Sequence, residues 1–106
     1  MHIRFVYMTF ADIEEARKVG RVLVESKLAA CVNIFPQMNS IYAWEGEVQE
    51  ASEAVMIAKT TKARVAEITR TVTALHSYSC PCVVSLPVLT GHRAYLEWID
   101  QSVSAP

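Results

Sequence analysis

The chain lacks two features that would each point to a class of protein. Its longest purely apolar runs are five residues, at 28–32 and 54–58, whereas a helix that spans a bilayer needs about 20. Neither sign of charge dominates, because the formal net charge is −1 and the ten lysine and arginine residues are scattered. A basic stripe that could follow a phosphate backbone is therefore missing. We expect neither a membrane nor a nucleic acid as a partner.

Cysteine is also scarce. The three cysteines, Cys31, Cys80 and Cys82, are an odd number that is typical of reduced thiols rather than of a disulfide framework. Residues 1–4 run directly into a strand-like pattern, without the charged region, apolar region and cleavage site of a secretory signal. We therefore expect the protein in the cytoplasm.

What the chain does contain is an alternation of strand and helix patterns. Asp12 followed by Glu15 is a capping-box pattern that predicts a helix start. Glu45 and Gly46 predict a tight hairpin, and Pro36 predicts a bulge or an exposed edge in the strand before it. The predicted elements, in order, are strand 2–9, helix 12–27, strands 29–44 and 47–60, helix 62–76, strand 82–87, a short helix after Gly91 and a flexible tail at 102–106.

The third predicted strand is apolar on both faces. Val55 and Ile57 point to one side, and Met56 and Ala58 point to the other. Two βαβ halves give a four-stranded sheet with both helices on one face, which leaves the second face bare. A bare apolar face predicts packing between subunits, since a chain of 106 residues that is 52% hydrophobic cannot bury all of its apolar surface alone. We predict a single domain, 1–106, in a symmetric homo-oligomer.

Several motifs, taken in order along the chain, resemble the CutA divalent-cation-tolerance family. The resemblance covers nearly the whole chain and includes Leu86-Pro87, Gly91 and Tyr95-Leu96-Glu97-Trp98. Its four longest segments are Lys27-Leu28-Ala29-Ala30-Cys31-Val32-Asn33, Ser40-Ile41-Tyr42-Ala43-Trp44-Glu45-Gly46, Ile57-Ala58-Lys59-Thr60-Thr61 and His76-Ser77-Tyr78-Ser79-Cys80-Pro81.

This resemblance implies an α+β fold: a ferredoxin-like βαββαβ sandwich with an additional C-terminal helix, assembled as a homotrimer similar to the PII signalling proteins. It also implies a cytoplasmic role in tolerance of copper and other divalent ions. In the family, copper is associated with positions that match Cys31 and His76. The clefts between subunits are lined at positions that match Tyr42, Trp44, Lys59, His76 and Tyr78.

The chain departs from the family pattern at two positions. The family usually has His-Pro-Tyr before a Pro-Glu pair, whereas here Ser77 replaces the first proline and Cys82 replaces the glutamate. The cleft chemistry of this chain is therefore expected to differ from that of its relatives.

Cys80 and Cys82 are two residues apart at the start of a strand, so an extended chain places both thiols on one face. Thiolates favour soft ions such as Cu(I) or Zn(II), and His76 could add an imidazole. The alternative is that Cys80 and Cys82 are small apolar residues at a subunit contact, that Cys31 is a buried strand residue and that His76 is the last polar residue of its helix.

The sequence thus leaves three functions open. The first is a trimer that holds copper or another metal ion through Cys80, Cys82, His76 and Cys31. The second is a signalling or scaffold trimer whose clefts bind a small anion near Lys59, or a protein partner. The third, a thiol enzyme, is disfavoured because no third orienting group accompanies Cys80 and His76. We expect a protein that is not an enzyme and that needs no organic cofactor.

Overall fold

A computed structural model describes residues 1–104 as four strands and three helices. The strands are β1 (Ile3–Phe10), β2 (Cys31–Trp44), β3 (Glu47–Thr61) and β4 (Val83–Pro87), and the helices are α1 (Ile13–Glu25), α2 (Lys62–Leu75) and α3 (Arg93–Val103). All neighbouring strands are antiparallel, in the order β2-β3-β1-β4. The predicted α+β sandwich, with its additional C-terminal helix, is confirmed.

Local signals set the ends of several elements. Asp12 Oδ1 accepts a hydrogen bond from the backbone N–H of Glu15 at 2.8 Å, which caps α1 as predicted. This helix ends at Glu25, two residues earlier than expected, because Ser26 caps it and Lys27 takes a positive φ of 62°. The hairpin between β2 and β3 turns on Glu45 and Gly46, both at positive φ. None of the described helices is long and apolar enough to cross a membrane.

The pairing of β1 with β3 sets the two faces of the sheet. Val6, Met8 and Phe10 face the same side as their partners Ala58, Met56 and Ala54. The buried core lies on this side, where α1 and α2 cover the sheet with Ala16, Val19, Leu23, Ile68 and Val72. Phe5, Tyr7 and Thr9 face the opposite side, together with the odd-numbered residues of β3.

This second face is not entirely bare, which corrects the sequence prediction. Helix α3 packs across one end of it, where Tyr95 reaches Lys59 and where Ile99 is fully buried. The remainder stays open, since Phe35, Val84 and Leu86 are about half exposed. The sequence missed this packing because α3 contacts strands far away along the chain.

The prediction of a flexible tail at 102–106 is wrong for its first two residues. Ser102 and Val103 belong to α3, and Val103 is only 2% exposed. The carbonyl of Val103 also accepts a hydrogen bond from Arg64 Nε at 2.8 Å, which ties the end of α3 to α2. Residues 105–106 lie outside the described part of the chain.

Pro36 lies at an irregularity of the edge strand β2, as predicted. The register with β3 shifts between Phe35 and Met38, so that Phe35 opposes Val55 and Met38 opposes Glu53. Since Pro36 has no backbone N–H to donate, the shift removes it from the ladder at no cost in hydrogen bonds. Beyond the bulge, the alternate residues of β2 from Met38 to Trp44 share the second face with Glu53.

Replacement of Leu23 by alanine should destabilise the fold by about 2–5 kcal/mol, because it removes a fully buried side chain between α1 and the sheet. Val22→Ala is the matched control, since Val22 is 37% exposed on the same helix, and it should change stability by about 0.5 kcal/mol or less. Urea unfolding at one fixed protein concentration measures both. Equal losses for the two variants would contradict the assignment of the core.

Candidate functional site

A groove of about 630 Å³ lies on the second face of the sheet, beside the long β2-β3 hairpin. One wall comes from the hairpin, with Ser40, Tyr42 and Trp44 of β2 and Gln49 and Glu53 of β3. We call it the hairpin groove. These side chains lie together because the side-chain direction in a strand alternates and because the bulge at Pro36 shifts the register of β2.

The opposite wall of the hairpin groove is the segment between α2 and β4, which carries Tyr78, Ser79, Cys80 and Cys82. Tyr7 and Thr9 of the central strand β1 lie between the two walls. Three of the five predicted cleft residues, Tyr42, Trp44 and Tyr78, therefore line one groove, and so do Cys80 and Cys82 of the predicted metal site.

His76 anchors this wall to the sheet. Its Nε2 lies 2.7 Å from the carbonyl oxygen of Thr9, and its Nδ1 accepts a hydrogen bond from the backbone N–H of Tyr78 at 3.0 Å. These two partners define the neutral tautomer with the proton on Nε2. The ring also stacks on Phe10, with centroids 4.7 Å apart and an interplanar angle of 14°. Both nitrogens are occupied, so His76 has a structural role in the protomer and has no free lone pair for a metal.

Ser77 adds a second anchor that the sequence reasoning did not find. Its backbone N–H donates to Glu15 Oε2 at 2.8 Å, and its hydroxyl donates to Glu15 Oε1 at 3.1 Å. A proline at this position, which the family resemblance implies, would have no N–H to donate. The sequence indicated Glu15 only as a helix-capping residue, and no local pattern connects it with a residue 62 positions away.

Tyr78 and Glu53 join the two walls of the groove. The Tyr78 hydroxyl donates to Glu53 Oε2 at 2.8 Å. Burial is the main cause that raises the pKa of Tyr78 well above its ordinary value, and the hydrogen bond to Glu53 adds to the effect. Glu53 is also a residue that the sequence reasoning missed. It is the only charged side chain that lines the groove in the described part of the chain.

The two cysteines of the groove differ in environment. Cys80 is exposed, whereas Cys82 is partly buried. Burial raises the pKa of the Cys82 thiol, and contact with the Thr9 side chain only partly offsets the shift. Within residues 1–104, no group of three or more histidine, cysteine or acidic side chains is arranged to hold a metal ion. Of the four predicted metal ligands, only Cys80 and Cys82 therefore lie together with free thiols in the groove of one protomer.

Cys31 and Lys59 lie elsewhere on the sheet. Cys31 of β2 pairs with Lys59 of β3. Lys59 is six residues along β3 from Glu53, which is a distance of about 20 Å. Lys59 Nζ donates to the Tyr95 hydroxyl at 2.9 Å, and Cys31 Sγ lies 3.8 Å from the same oxygen. The hydrogen bond to Tyr95 is the main cause that raises the pKa of Lys59. Within the protomer, neither residue meets the hairpin groove.

A four-stranded antiparallel sheet with two helices on one face and a third helix on the other defines a ferredoxin-like α+β protein with an additional C-terminal helix. Comparison with known families is more specific. The model of the CutA1 divalent ion tolerance protein family matches residues 4–102. The chain belongs to this family, which confirms the resemblance found in the sequence.

Individual relatives match over nearly their whole length. The divalent-cation tolerance protein CutA of Archaeoglobus fulgidus is 45% identical over 103 residues, which cover 97% of this chain and 99% of the relative. A solved structure from that organism, described as a periplasmic divalent cation tolerance protein, has a TM-score of 0.93 at 42% identity and covers 96% and 99% of the two chains. The CutA1 structure from Oryza sativa has a TM-score of 0.95 at 37% identity, with 100% and 97% covered.

Alkylation should distinguish the two groove cysteines. Cys80 should react with iodoacetamide several-fold faster than Cys82 near neutral pH, because it is more exposed and because burial raises the pKa of Cys82. Tandem mass spectrometry of the peptide that contains both residues measures the order of reaction. Cys80→Ser and Cys82→Ser give the two single-site rates, and a faster reaction at Cys82 would contradict the described environments.

Proposed function

We propose that this protein acts in divalent metal tolerance by binding a soft metal ion, copper in its Cu(I) state, through the thiolates of Cys80 and Cys82. The observation that carries the proposal is that both cysteines line one groove, on the same wall and two residues apart. Membership of the divalent ion tolerance family supports the general role. The choice of cysteine ligands rests on the groove.

The ligands that the groove offers favour Cu(I) over Zn(II). A structural zinc site normally has four protein ligands, whereas among residues 1–104 the groove is lined by two thiols and one carboxylate, that of Glu53. Two soft sulfur ligands suit Cu(I), which accepts low coordination numbers. Because the ligands must lose their protons and burial raises the pKa of Cys82, affinity should decrease as the pH falls. The cytoplasm, where thiols stay reduced, is the compartment that we propose.

A binding role fits the groove better than a catalytic one. A nucleophilic cysteine requires a nearby base, and the predicted base, His76, uses both ring nitrogens in hydrogen bonds to Thr9 and Tyr78. The raised pKa of Cys82 also opposes formation of a reactive thiolate. These features support a protein that binds its ion rather than one that transforms a substrate.

Anaerobic titration with Cu(I) tests the metal site. The wild-type protein should bind Cu(I) saturably, and the Cys80→Ser/Cys82→Ser double variant should lose the high-affinity phase, because both proposed ligands are gone. Cys31→Ser is the matched control, since Cys31 lies at the start of β2, opposite Lys59 and close to Tyr95, away from the groove. A competitive chromophoric chelator reports the affinity.

The result that would overturn the site is unchanged binding in the double variant. An equally large loss of Cu(I) affinity in Cys31→Ser would also overturn the site, because the ion would then lie about 20 Å from the groove.

We also propose that the protein is a homotrimer, as the family resemblance implies. Its support in the structure is the open part of the second sheet face, where Phe35, Val84 and Leu86 expose about half of their surface. Exposed apolar residues on neighbouring strands form the kind of patch that oligomers bury. A chain of this size has little other means of covering that surface.

Light scattering coupled to size exclusion should give three times the chain mass of 11.8 kDa. Leu86→Glu should dissociate the assembly, because it places a charge on the open sheet face. Leu89→Glu is the control, since Leu89 is 92% exposed in the loop after β4, and it should leave the mass unchanged. A monomeric wild-type protein would contradict the proposal.

A further inference from the structure

The segment that carries Cys80 and Cys82 is attached to the central strand β1 through one residue, Thr9. At the start of the segment, the backbone carbonyl of Thr9 accepts a hydrogen bond from Nε2 of His76 at 2.7 Å. At its end, the side chain of Thr9 lines the hairpin groove next to Cys82 and contacts the thiol. Two different groups of Thr9, its carbonyl and its side chain, therefore hold the two ends of the segment.

The register of the sheet explains the contact between Thr9 and Cys82. β1 and β4 pair in antiparallel order, and the last pair of their ladder is Met8 with Val83. One residue further along, Thr9 lies opposite Cys82. Side chains of directly opposed residues point to the same face, with Cβ atoms about 4.5–5.5 Å apart. The pairing of the strands thus places the Thr9 hydroxyl beside the Cys82 sulfur.

Assembly into a trimer leaves this contact in place. Thr9 is only 8% exposed in a single protomer, and its strand lies between β3 and β4. Thr9 and Cys82 belong to one sheet, so a neighbouring subunit on this face buries the pair further without separating it. Burial strengthens a hydrogen bond, because the local dielectric constant is lower than that of water.

From these observations we propose that Thr9 is a positioning residue of the metal site, whose hydroxyl donates a hydrogen bond to the Cys82 thiolate and holds its sulfur in place for Cu(I). The inference rests on the metal site proposed above at Cys80 and Cys82. A metal-bound thiolate keeps lone pairs that accept hydrogen bonds, and donors of this kind orient the ligand. Cys82 is then the fixed ligand of the pair, whereas Cys80, which is more exposed, completes the site.

Thr9→Val tests the hydroxyl alone. Valine keeps the branched shape of the side chain and the carbonyl that binds His76, and it is favoured in strands, so the fold should be retained. Cu(I) affinity should fall at least about tenfold, since loss of an outer-shell partner typically weakens metal binding by about 10–100-fold. Thr9→Ser keeps the hydroxyl and should retain most of the affinity, which a role of Thr9 in packing alone would not predict.

Thr61→Val is the matched control. Thr61 is 9% exposed, pairs with Ile3 on the same face of the sheet and makes no side-chain capping bond to α2. It lies at the opposite end of β1 from Thr9, so this variant should keep the wild-type affinity for Cu(I). Competition with a chromophoric chelator, on the assembled protein, measures all three variants.

A second measurement needs no metal. In a Cys80→Ser background, Cys82 should react with iodoacetamide several-fold more slowly after Thr9→Val, because its thiolate loses a stabilising donor. Thr9→Ser should keep the rate of the parent protein. Mass spectrometry of the peptide that contains Cys82 follows the reaction.

The outcomes separate the role of Thr9 from the metal site itself. Unchanged Cu(I) affinity in Thr9→Val, together with a loss in the Cys80→Ser/Cys82→Ser double variant, would overturn the role of Thr9 and leave the metal site intact. Unchanged binding in the double variant would reject the metal site, and the role of Thr9 with it. An equally large loss in Thr61→Val, or a rate of Cys82 alkylation that Thr9→Val does not change, would also overturn the inference.

Discussion

The pairing of the two central strands determines where the other side chains lie. β1 and β3 pair over eight residues, from Ile3 with Thr61 to Phe10 with Ala54. Since side chains alternate along a strand, a slip of one residue would exchange the core face for the groove face. The pairing that buries Met8 and Met56 against the helices therefore also directs Tyr7 and Glu53 into the groove. Much of the geometry of the groove is stabilised by the hydrophobic core rather than by contacts of its own.

The second wall of the groove depends on polar contacts instead. His76 fills both of its nitrogens, Ser77 donates twice to Glu15, and Tyr78 donates to Glu53. Three consecutive residues are thus fixed to β1, α1 and β3, the elements around which the core is built. These hydrogen bonds are exposed or partly buried, and a typical one contributes about 0.5–1.5 kcal/mol to stability. The wall that carries Cys80 and Cys82 is therefore held in one position before any ligand arrives.

The sequence predicted the seven elements because local periodicity and caps determine them, as in the pair Asp12 and Glu15. Spacing also placed Cys80 and Cys82 on the same wall. What it could not provide were partners from distant parts of the chain. His76 bonds to a residue 67 positions away, and Lys59 bonds to Tyr95, which is 36 positions away. Such pairings bring Glu53 into the groove of the protomer and hold Lys59 beside Tyr95.

The charge of the proposed metal site follows from proton release. A metal ion at Cys80 and Cys82 must displace thiol protons, and the raised pKa of Cys82 makes that displacement harder at low pH. One Cu(I) that replaces two thiol protons leaves the pair with one net negative charge. Glu53 lines the same groove, so this charge develops near a carboxylate that repels it. Burial of Cys82 and the proximity of Glu53 therefore both oppose formation of the thiolates, and the metal site should fill more readily as the pH rises.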